Sequence, residues 1–353
     1  MNPTSRFPAS LVSRRTLLGG VLAAPILLAA CSNDSPTAGA PSSSGNGAGG
    51  EFSPVTIQHA LGEAVIETKP ERIVTLGQGS TETCIALGTI PVGMEEYPWG
   101  SDETGYMPWI HEAITEAGGE LPTQFTGATE LDVEAIVELA PDLILAPWSG
   151  VTQEQYDTLA ALAPTVAYAE QPWVITWTEQ IQTIAKALGQ DADGEALIAE
   201  INQTFDEAKV PEWEQYTFSF IYNTGPGTLG VFFKDEQRVA MVRGLGLTVD
   251  PIADQLGEFE VEGTDSAMLG LENANKLDNS DLIFTFYSDE ANRTETESQE
   301  LYAAIPAIKN DAIVAPTDQP FVTGSSIINP LTVPWALERY RPMIEKAITK
   351  VPN

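Results

Sequence analysis

The sequence is poor in cysteine, in histidine and in basic residues. Its 353 residues include two cysteines and two histidines, His59 and His111. Because Cys31 lies in the N-terminal segment, Cys84 is the one thiol left for the main part of the chain, which excludes a disulfide and a thiolate metal site there. The two histidines are too few for a typical zinc or manganese site, and they leave little imidazole for acid–base catalysis.

Positive charge is scarce as well, since 17 Lys and Arg stand against 50 Asp and Glu, for a formal net charge of −33. Residues 1–30 hold three of the arginines and no acidic residue. Their removal lowers the number of basic residues from 17 to 14 and the formal net charge from −33 to −36. This charge excludes nucleic acid and argues against an anionic lipid surface as a binding partner. The chain is 43% hydrophobic and long enough to bury the core of one large domain or two.

The N-terminal segment has the composition of an export signal followed by a spacer. Three arginines precede an apolar run too short to span a bilayer, which predicts a signal peptide over residues 1–30. The end of this run, LAAC, resembles the lipobox of bacterial lipoproteins and implies lipidation of Cys31. Residues 31–51 are then the lipidated cysteine and a flexible tether of small polar residues. SRRTLL, residues 13–18, resembles a twin-arginine export signal but lacks its usual Phe and Lys, so either export route stays open.

Short strands alternate with helices along the rest of the chain, which predicts an α/β fold with parallel sheets. The alternation occurs twice, in an N-terminal lobe over residues 52–175 and a C-terminal lobe over residues 211–353, with a helical connector over residues 176–210. Two helix–strand segments correspond: Leu131, Glu134, Leu139 and Asp142-Leu143-Ile144 in the first lobe, and Leu269, Glu272, Leu277 and Asp281-Leu282-Ile283 in the second. Pairs of this kind also arise by chance in α/β proteins, so the duplication is suggestive only.

The turn between the first strand and helix of the N-terminal lobe does not support nucleotide chemistry. Its sequence, GQGSTE over residues 77–82, places Glu82 where a dinucleotide-binding loop has its third glycine, and a carboxylate there would repel a pyrophosphate. Ser80 lacks both a nucleophile elbow and a visible base. We therefore predict that Ser80 or Thr81 caps the helix and that Glu82 complements the helix dipole.

Aromatic residues and one arginine are the candidate ligand contacts. Five of the seven tryptophans lie between residues 99 and 177, with Trp99 in a Pro/Gly-rich loop and Trp148 just after a strand, where ligands bind in open α/β sheets. Cations are almost absent from residues 52–172, so contacts to an anionic group would have to come from the second lobe. The predicted ligand-binding residues are Trp99, Trp148, Trp173, Tyr222, Phe232, Arg238 and Tyr287.

The order of these features carries a family resemblance. The chain resembles the iron-siderophore substrate-binding lipoproteins of ABC importers, in the ferric-hydroxamate and cobalamin binding-protein superfamily. The features that carry this resemblance are the lipobox, the tether, PERIVTLGQGSTETCIALGTIPVGM, LDVEAIVELAPDLILA and the interlobe helix. The resemblance spans essentially the whole mature chain. It implies two Rossmann-like α/β lobes with central parallel sheets, joined by a single long α-helix, and a ligand cleft between the lobes. It also implies that a glutamate on each lobe, Glu134 and Glu272, docks on the membrane permease.

From the residues and this resemblance we expect a lipid-anchored extracytoplasmic monomer that captures a ferric siderophore, carries no cofactor or metal of its own and serves an ABC importer. A hydroxamate siderophore is favoured because the first lobe offers almost no cations to an anionic ferric catecholate. Cobalamin, haem or a ferric catecholate are the alternatives. An enzyme is disfavoured because neither a nucleophile with a base nor a metal cluster is visible. Glu272 could instead pair with Lys276, four residues on.

Overall fold

Two β-sheets organise the chain, one in each half of the sequence. The computed structural model describes residues 52–127, 130–261 and 264–352. The predicted signal peptide, Cys31 and the tether lie outside these residues. Within the part of the chain that the structure describes, no helix is both long and apolar enough to cross a membrane.

The N-terminal lobe begins with an antiparallel hairpin, followed by a five-stranded parallel sheet in the order β5-β4-β3-β6-β7. The central strands are short and buried on both faces, as in sheets covered by helices. The strands are β1 Val55–His59, β2 Gly62–Ile66, β3 Ile73–Thr75, β4 Gly93–Glu95, β5 Thr123–Phe125, β6 Leu143–Leu145 and β7 Thr165–Val166. The helices are α1 Ser80–Ala86, α2 Pro108–Glu116, α3 Val133–Glu138 and α4 Gln153–Ala160.

Two helices connect the lobes: α5, Trp177–Ala187, and α6, Asp191–Ala208. Gly189, at φ +69°, ends the first. Helix α5 contributes Ile184 to the N-terminal core. Helix α6 contributes Ile201 to the C-terminal core, and its Leu197 packs against both cores. The 18 residues of α6 span about 27 Å, so α6 is the long interlobe helix.

The C-terminal lobe contains a seven-stranded mixed sheet. Strands β10, β8, β13 and β14 are parallel, as predicted, and β9, β12 and β11 add an antiparallel extension to this parallel sheet. The strands are β8 Thr217–Tyr222, β9 Gly230–Phe232, β10 Thr248–Val249, β11 Glu260–Val261, β12 Ser266–Met268, β13 Leu282–Phe284 and β14 Ile313–Val314. The α-helices are α7 Gln237–Gly244, α8 Glu290–Glu297, α9 Glu300–Ala303, α10 Pro306–Lys309, α11 Gln319–Gly324 and α12 Thr332–Ile348. Four 3₁₀ helices are Pro211–Gln215, Pro251–Gln255, Gly257–Phe259 and Leu271–Leu277.

The two corresponding segments hold equivalent positions in the lobes. Asp142 precedes β6 and accepts hydrogen bonds of 2.8 Å from the backbone N–H groups of Glu71 and Arg72, just before the neighbouring strand β3. Asp281 precedes β13 and accepts one of 2.8 Å from the backbone N–H of Thr217, which begins the neighbouring strand β8. Each aspartate therefore ties the start of one central strand to the next. The helix before the second aspartate is 3₁₀ rather than α.

We expect Asp281→Ala to lower the free energy of unfolding by about 1–2 kcal/mol, because the half-buried N–H and hydroxyl of Thr217 lose a charged acceptor. Urea unfolding of residues 52–353, followed by tryptophan fluorescence, measures the change. Asp278→Ala removes the same charge from an exposed site three residues earlier and serves as the control. Equal midpoints for the two variants would contradict the role assigned to Asp281.

Candidate ligand-binding site

The carboxyl ends of four strands define where a ligand can bind. In the N-terminal sheet the connections diverge between β3 and β6, and in the parallel part of the C-terminal sheet they diverge between β8 and β13. A crevice forms at such switch points because the loops after the two strands lead away in opposite directions. Trp148 follows β6, Tyr222 ends β8 and Tyr287 follows β13, so these three predicted residues lie at such ends.

Trp148 and Trp173 form an aromatic pair in the N-terminal lobe. Their ring centroids are 4.8 Å apart at an interplanar angle of 71°, an edge-to-face contact. The backbone N–H of Trp173 donates to the carbonyl of Ser149 at 3.2 Å, which ties the two loops together. A methyl group on Gly150 would lie 2.5 Å from the Trp173 ring, so glycine is what lets the indole lie over the chain. Trp173 is 48% exposed, and the pair therefore offers aromatic surface to solvent.

Trp99 is the most exposed predicted contact, at 54%. The next residue, Gly100, is buried, and a methyl group there would lie 2.6 Å from the side chain of Thr323 on α11 of the other lobe. Trp99 therefore lies in a loop that contacts the C-terminal lobe. Among the described residues, no ring contact joins Trp99 to the Trp148–Trp173 pair.

A second aromatic cluster lies at the carboxyl end of β8. Tyr222 stacks on Phe232 with 4.6 Å between ring centroids and 26° between planes. The hydroxyl of Tyr222 is 2.9 Å from that of Ser266, which fixes the ring at its far end. Gly230 lies under the Tyr222 ring, where a methyl group would approach to 2.3 Å. Tyr222 and Phe232 are both half-buried, so one side of the stack remains open.

Arg238 covers this second cluster and is tied to Glu236. Its guanidinium lies 4.8 Å from the centroid of Phe232 and 5.9 Å from that of Phe286. One carboxylate oxygen of Glu236 pairs with Nη1 of Arg238, and the other accepts the backbone N–H of Arg238 at 2.8 Å. Burial raises the pKa of Glu236, and the charge of Arg238 opposes that rise. The Nε–H of Arg238 is buried without a hydrogen-bond partner.

Tyr287 lies in the core, contrary to what its predicted role requires. Its side chain is 1% exposed, and its hydroxyl is 2.8 Å from that of Tyr302. Burial raises the pKa of Tyr287 far above its ordinary value, with the neighbouring Tyr302 adding to the effect. The residue before it, Phe286, is half-buried and lies under Arg238. Successive side chains of a strand end point to opposite faces, so Phe286 takes the position assigned to Tyr287.

The turn before α1 has a structural role, because Glu82 links it to Trp109. The prediction that Ser80 or Thr81 caps helix α1 is wrong. Gly79 is the N-cap, and its N–H donates to Glu82 at 3.0 Å. Glu82 is buried, and it also accepts the indole N–H of Trp109 at 2.9 Å. Burial raises the pKa of Glu82, and the Trp109 hydrogen bond opposes that rise. Trp109 packs edge-to-face on Trp335 of α12, with 5.1 Å between centroids, so Glu82 positions a contact between the lobes.

Glu134 and Glu272 are both exposed. Glu134 lies in the first turn of α3, which Asp132 caps by accepting the N–H of Ala135 at 2.9 Å. The predicted ion pair of Glu272 with Lys276 does not form among the described residues. Instead, the ammonium of Lys276 lies 5.5 Å from the ring of Phe259. Both glutamates are therefore accessible, and their docking role stays a prediction.

A hollow of about 530 Å³ lies elsewhere on the C-terminal lobe. It contains none of the predicted ligand contacts, and three cations line it. Each cation already has an acidic partner: Lys209 with Glu214 at 2.7 Å, Lys234 with Asp254 at 3.0 Å and Arg243 with Asp235 at 3.5 Å. The aromatic clusters at the strand ends are the better ligand site because they combine accessible rings with an unpartnered donor.

Residues 73–320 match the family model described as periplasmic binding protein. The chain belongs to this family. Members are substrate-binding proteins rather than enzymes, which confirms that part of the prediction. The expected two-lobed α/β architecture is also confirmed, with a mixed sheet in the second lobe.

Relatives within the periplasmic binding protein family bind iron chelates and cobalamin. The probable siderophore-binding lipoprotein YfiY of Bacillus subtilis is 35% identical over 156 residues, 44% of each chain. The cobalamin-binding protein of Halobacterium salinarum is 28% identical over 178 residues, 49% of this chain and 45% of that one. The matched segments thus span about half the length of these curated relatives. The crystal structure of Streptococcus pneumoniae PiaA in complex with ferrichrome has a TM-score of 0.74 and 29% identity, covering 84% of this chain and 99% of that one.

We expect Gly230→Ala to lower the free energy of unfolding by about 1–3 kcal/mol, because its methyl group would collide with the Tyr222 ring. Gly257→Ala is the matched control, since a methyl group at Gly257 meets nothing within 4 Å. Urea unfolding of the two variants gives the comparison. An unchanged midpoint for Gly230→Ala would show that the Tyr222 ring is not seated on Gly230.

Proposed function

We propose that this protein captures a ferric siderophore outside the cytoplasmic membrane and delivers it to the permease of an ABC importer. The observation that carries the proposal is the pair of partly exposed aromatic clusters at strand carboxyl ends, Trp148 with Trp173 in one lobe and Tyr222 with Phe232 in the other. Large flat rings bind the apolar faces of an iron chelate with little loss of side-chain entropy. The ferrichrome in the PiaA structure and the siderophore named for YfiY support this ligand class.

A hydroxamate siderophore fits the electrostatics of the site better than a catecholate. Arg238 is the cation that contacts the second cluster, and Glu236 compensates its charge. Trp148 and Trp173 lie in a stretch of the first lobe that holds almost no cations. A neutral or cationic ferric hydroxamate needs no compensating cation, whereas an anionic ferric catecholate does. The buried Nε–H of Arg238 could donate to a hydroxamate oxygen, which would satisfy an otherwise unpaired donor.

Cobalamin is the second candidate, and the Halobacterium salinarum relative favours it. Its corrin would use the same aromatic surfaces. Haem is less suited, because it normally takes a His or Tyr ligand. His59 packs on Tyr156 and His111 lies near Tyr106, so both pack outside the two clusters. The hydroxyl of Tyr222, in the second cluster, is already 2.9 Å from that of Ser266.

Tryptophan fluorescence of residues 52–353, titrated with ferrichrome, ferrioxamine B, ferric enterobactin, haem and cobalamin, tests the proposal. We expect saturable quenching by the two hydroxamates, because Trp148 and Trp173 would lie against the ligand. Trp148→Ala should weaken binding by about tenfold or more, as loss of a central aromatic contact does at other interfaces. Trp213→Phe, in the 3₁₀ helix before the start of β8, is the control for tryptophan loss. Quenching by enterobactin alone would overturn the hydroxamate assignment, and no response to any ligand would overturn the function.

We further propose that Cys31 carries the lipid anchor and that the protein acts as a monomer whose Glu134 and Glu272 dock on the permease. The support for docking is that both carboxylates are exposed and lie in corresponding segments, ahead of the equivalent residues Asp142 and Asp281. One exposed carboxylate on each lobe would let a permease with two-fold symmetry contact both lobes at once. The lipobox, the tether and the lipoprotein name of YfiY support the anchor.

We expect the double variant Glu134→Ala, Glu272→Ala to bind its ligand with unchanged affinity but to abolish uptake, because the carboxylates would contact the permease and not the ligand. Uptake of the radiolabelled ferric complex by cells, together with fluorescence titration of the purified variant, separates the two effects. Glu138→Ala, on the same helix as Glu134 and equally exposed, should leave uptake intact. Lost ligand binding in the double variant would place these glutamates in the cleft and refute docking.

A further inference from the structure

Arg238 lies against the aromatic cluster as one half of a partly buried ion pair. The Glu236 side chain is 11% exposed and that of Arg238 is 27% exposed, whereas the other ion pairs among the described residues are considerably more open. Glu236 holds Arg238 at two points, at Nη1 of the guanidinium and at its backbone N–H. The rings of Phe232 and Phe286 restrain the guanidinium from the other side.

These contacts fix both the direction of Arg238 and the net charge of its surroundings. An unpaired arginine at this position would attract an anion, but a carboxylate in direct contact cancels most of that field at the distance of a ligand. What remains available is hydrogen-bond donation, since the Arg238 side chain stays 27% exposed beyond its contact with Glu236. The site therefore combines a directed donor with a compensated charge.

We infer that Glu236 is the residue that sets the charge class of the ligand, by orienting Arg238 as a donor while cancelling its positive charge. The inference rests on the proposed function and deepens it: the site would select a ferric complex with no net negative charge at Arg238. A carboxylate from the protein would occupy the place that an anionic ligand group needs.

The expected effect of Glu236 on ligand affinity follows from its distance to the ligand charge and from its burial. A carboxylate at about 6 Å from a ligand charge, in an effective dielectric constant of about 20, changes affinity by roughly tenfold to a hundredfold. An exposed carboxylate at a similar position in the sequence is screened by solvent and salt. Asp235, one residue earlier, is such a carboxylate, since its side chain is 71% exposed and pairs with Arg243 at 3.5 Å. It provides a control with the same change of charge.

The test compares Glu236→Gln with Asp235→Asn in the full mature chain, using ferrichrome as the neutral ligand and ferric enterobactin as the anionic one. Dissociation constants come from fluorescence titration, and the measured quantity is the affinity for enterobactin divided by that for ferrichrome. We expect Glu236→Gln to raise this ratio about tenfold or more and Asp235→Asn to change it less than about twofold. Equal ratios in the two variants would overturn the inference.

Two further variants make the result independent of any folding defect in Glu236→Gln. Arg238→Gln leaves the buried carboxylate without its partner and should lower the ratio by about tenfold. The double variant Glu236→Gln, Arg238→Gln should return the ratio to within about threefold of the wild type, because removing both opposite charges restores the net charge of zero that the pair has. A double variant that keeps the shift of Glu236→Gln would overturn the inference.

The wild-type titration separates this inference from the function on which it rests. Binding of ferrichrome with unchanged selectivity in all variants would refute the role of Glu236 and leave the proposed function standing. A wild-type protein that binds neither ferric complex would overturn both. Circular dichroism of each variant confirms that the compared proteins have the same fold.

Discussion

The shared packing of α6 is the constraint on which the two-lobed arrangement depends. Its Leu197 packs against both hydrophobic cores, and Ile201 belongs to the C-terminal core. Hydrophobic burial against both cores gives this helix an attachment to each lobe, so it behaves as a spacer of constant length rather than as a tether. Since the strand ends of each lobe are fixed by their own sheet, a spacer between the sheets also fixes the separation of the aromatic clusters.

Within that frame, the proposed ligand site is built from rings whose positions are set by glycine and by backbone contacts. Gly150 and Gly230 let indole and phenol rings lie close over the chain, where any larger residue would displace them. The rings are thus held before a ligand arrives, which lowers the entropy lost on binding. Arg238 is also held in position without a ligand, by electrostatic contacts with Glu236 and Phe232 rather than by steric restraints.

Much of the fold could be predicted from the sequence because local patterns determine it. The alternation of buried strands and helices identified both lobes, and Asp142 and Asp281 proved equivalent by their contacts. Strands β11 and β12 in the antiparallel extension of the second sheet were missed, because they have two and three residues and no readable period. Their pairing depends on long-range contacts that a single sequence does not display.

The candidate site was harder to predict from the sequence than the fold, and the errors in predicting it have identifiable causes. Tyr287 was predicted as a ligand contact but is buried, because the two-residue period of the strand end places Phe286, and not Tyr287, on the face next to Arg238. Glu236 was not found because nothing in its local sequence marks it as buried; its partner Arg238 and the packing around α7 bury it. Glu82 looked like an ordinary dipole-complementing residue, and only the tertiary contact with Trp109 reveals its link to the second lobe.

The Trp109–Trp335 contact has a consequence for the proposed role in transport. Separating the lobes widely would expose large parts of two indoles, at a cost on the order of a few kcal/mol. The spacing between the lobes would then differ little between the empty and the loaded protein. A permease that recognises that spacing would bind both forms, and the empty form would compete for the same docking sites. Under such competition, the ratio of binding protein to permease in the cell would limit the rate of uptake as strongly as ligand affinity does.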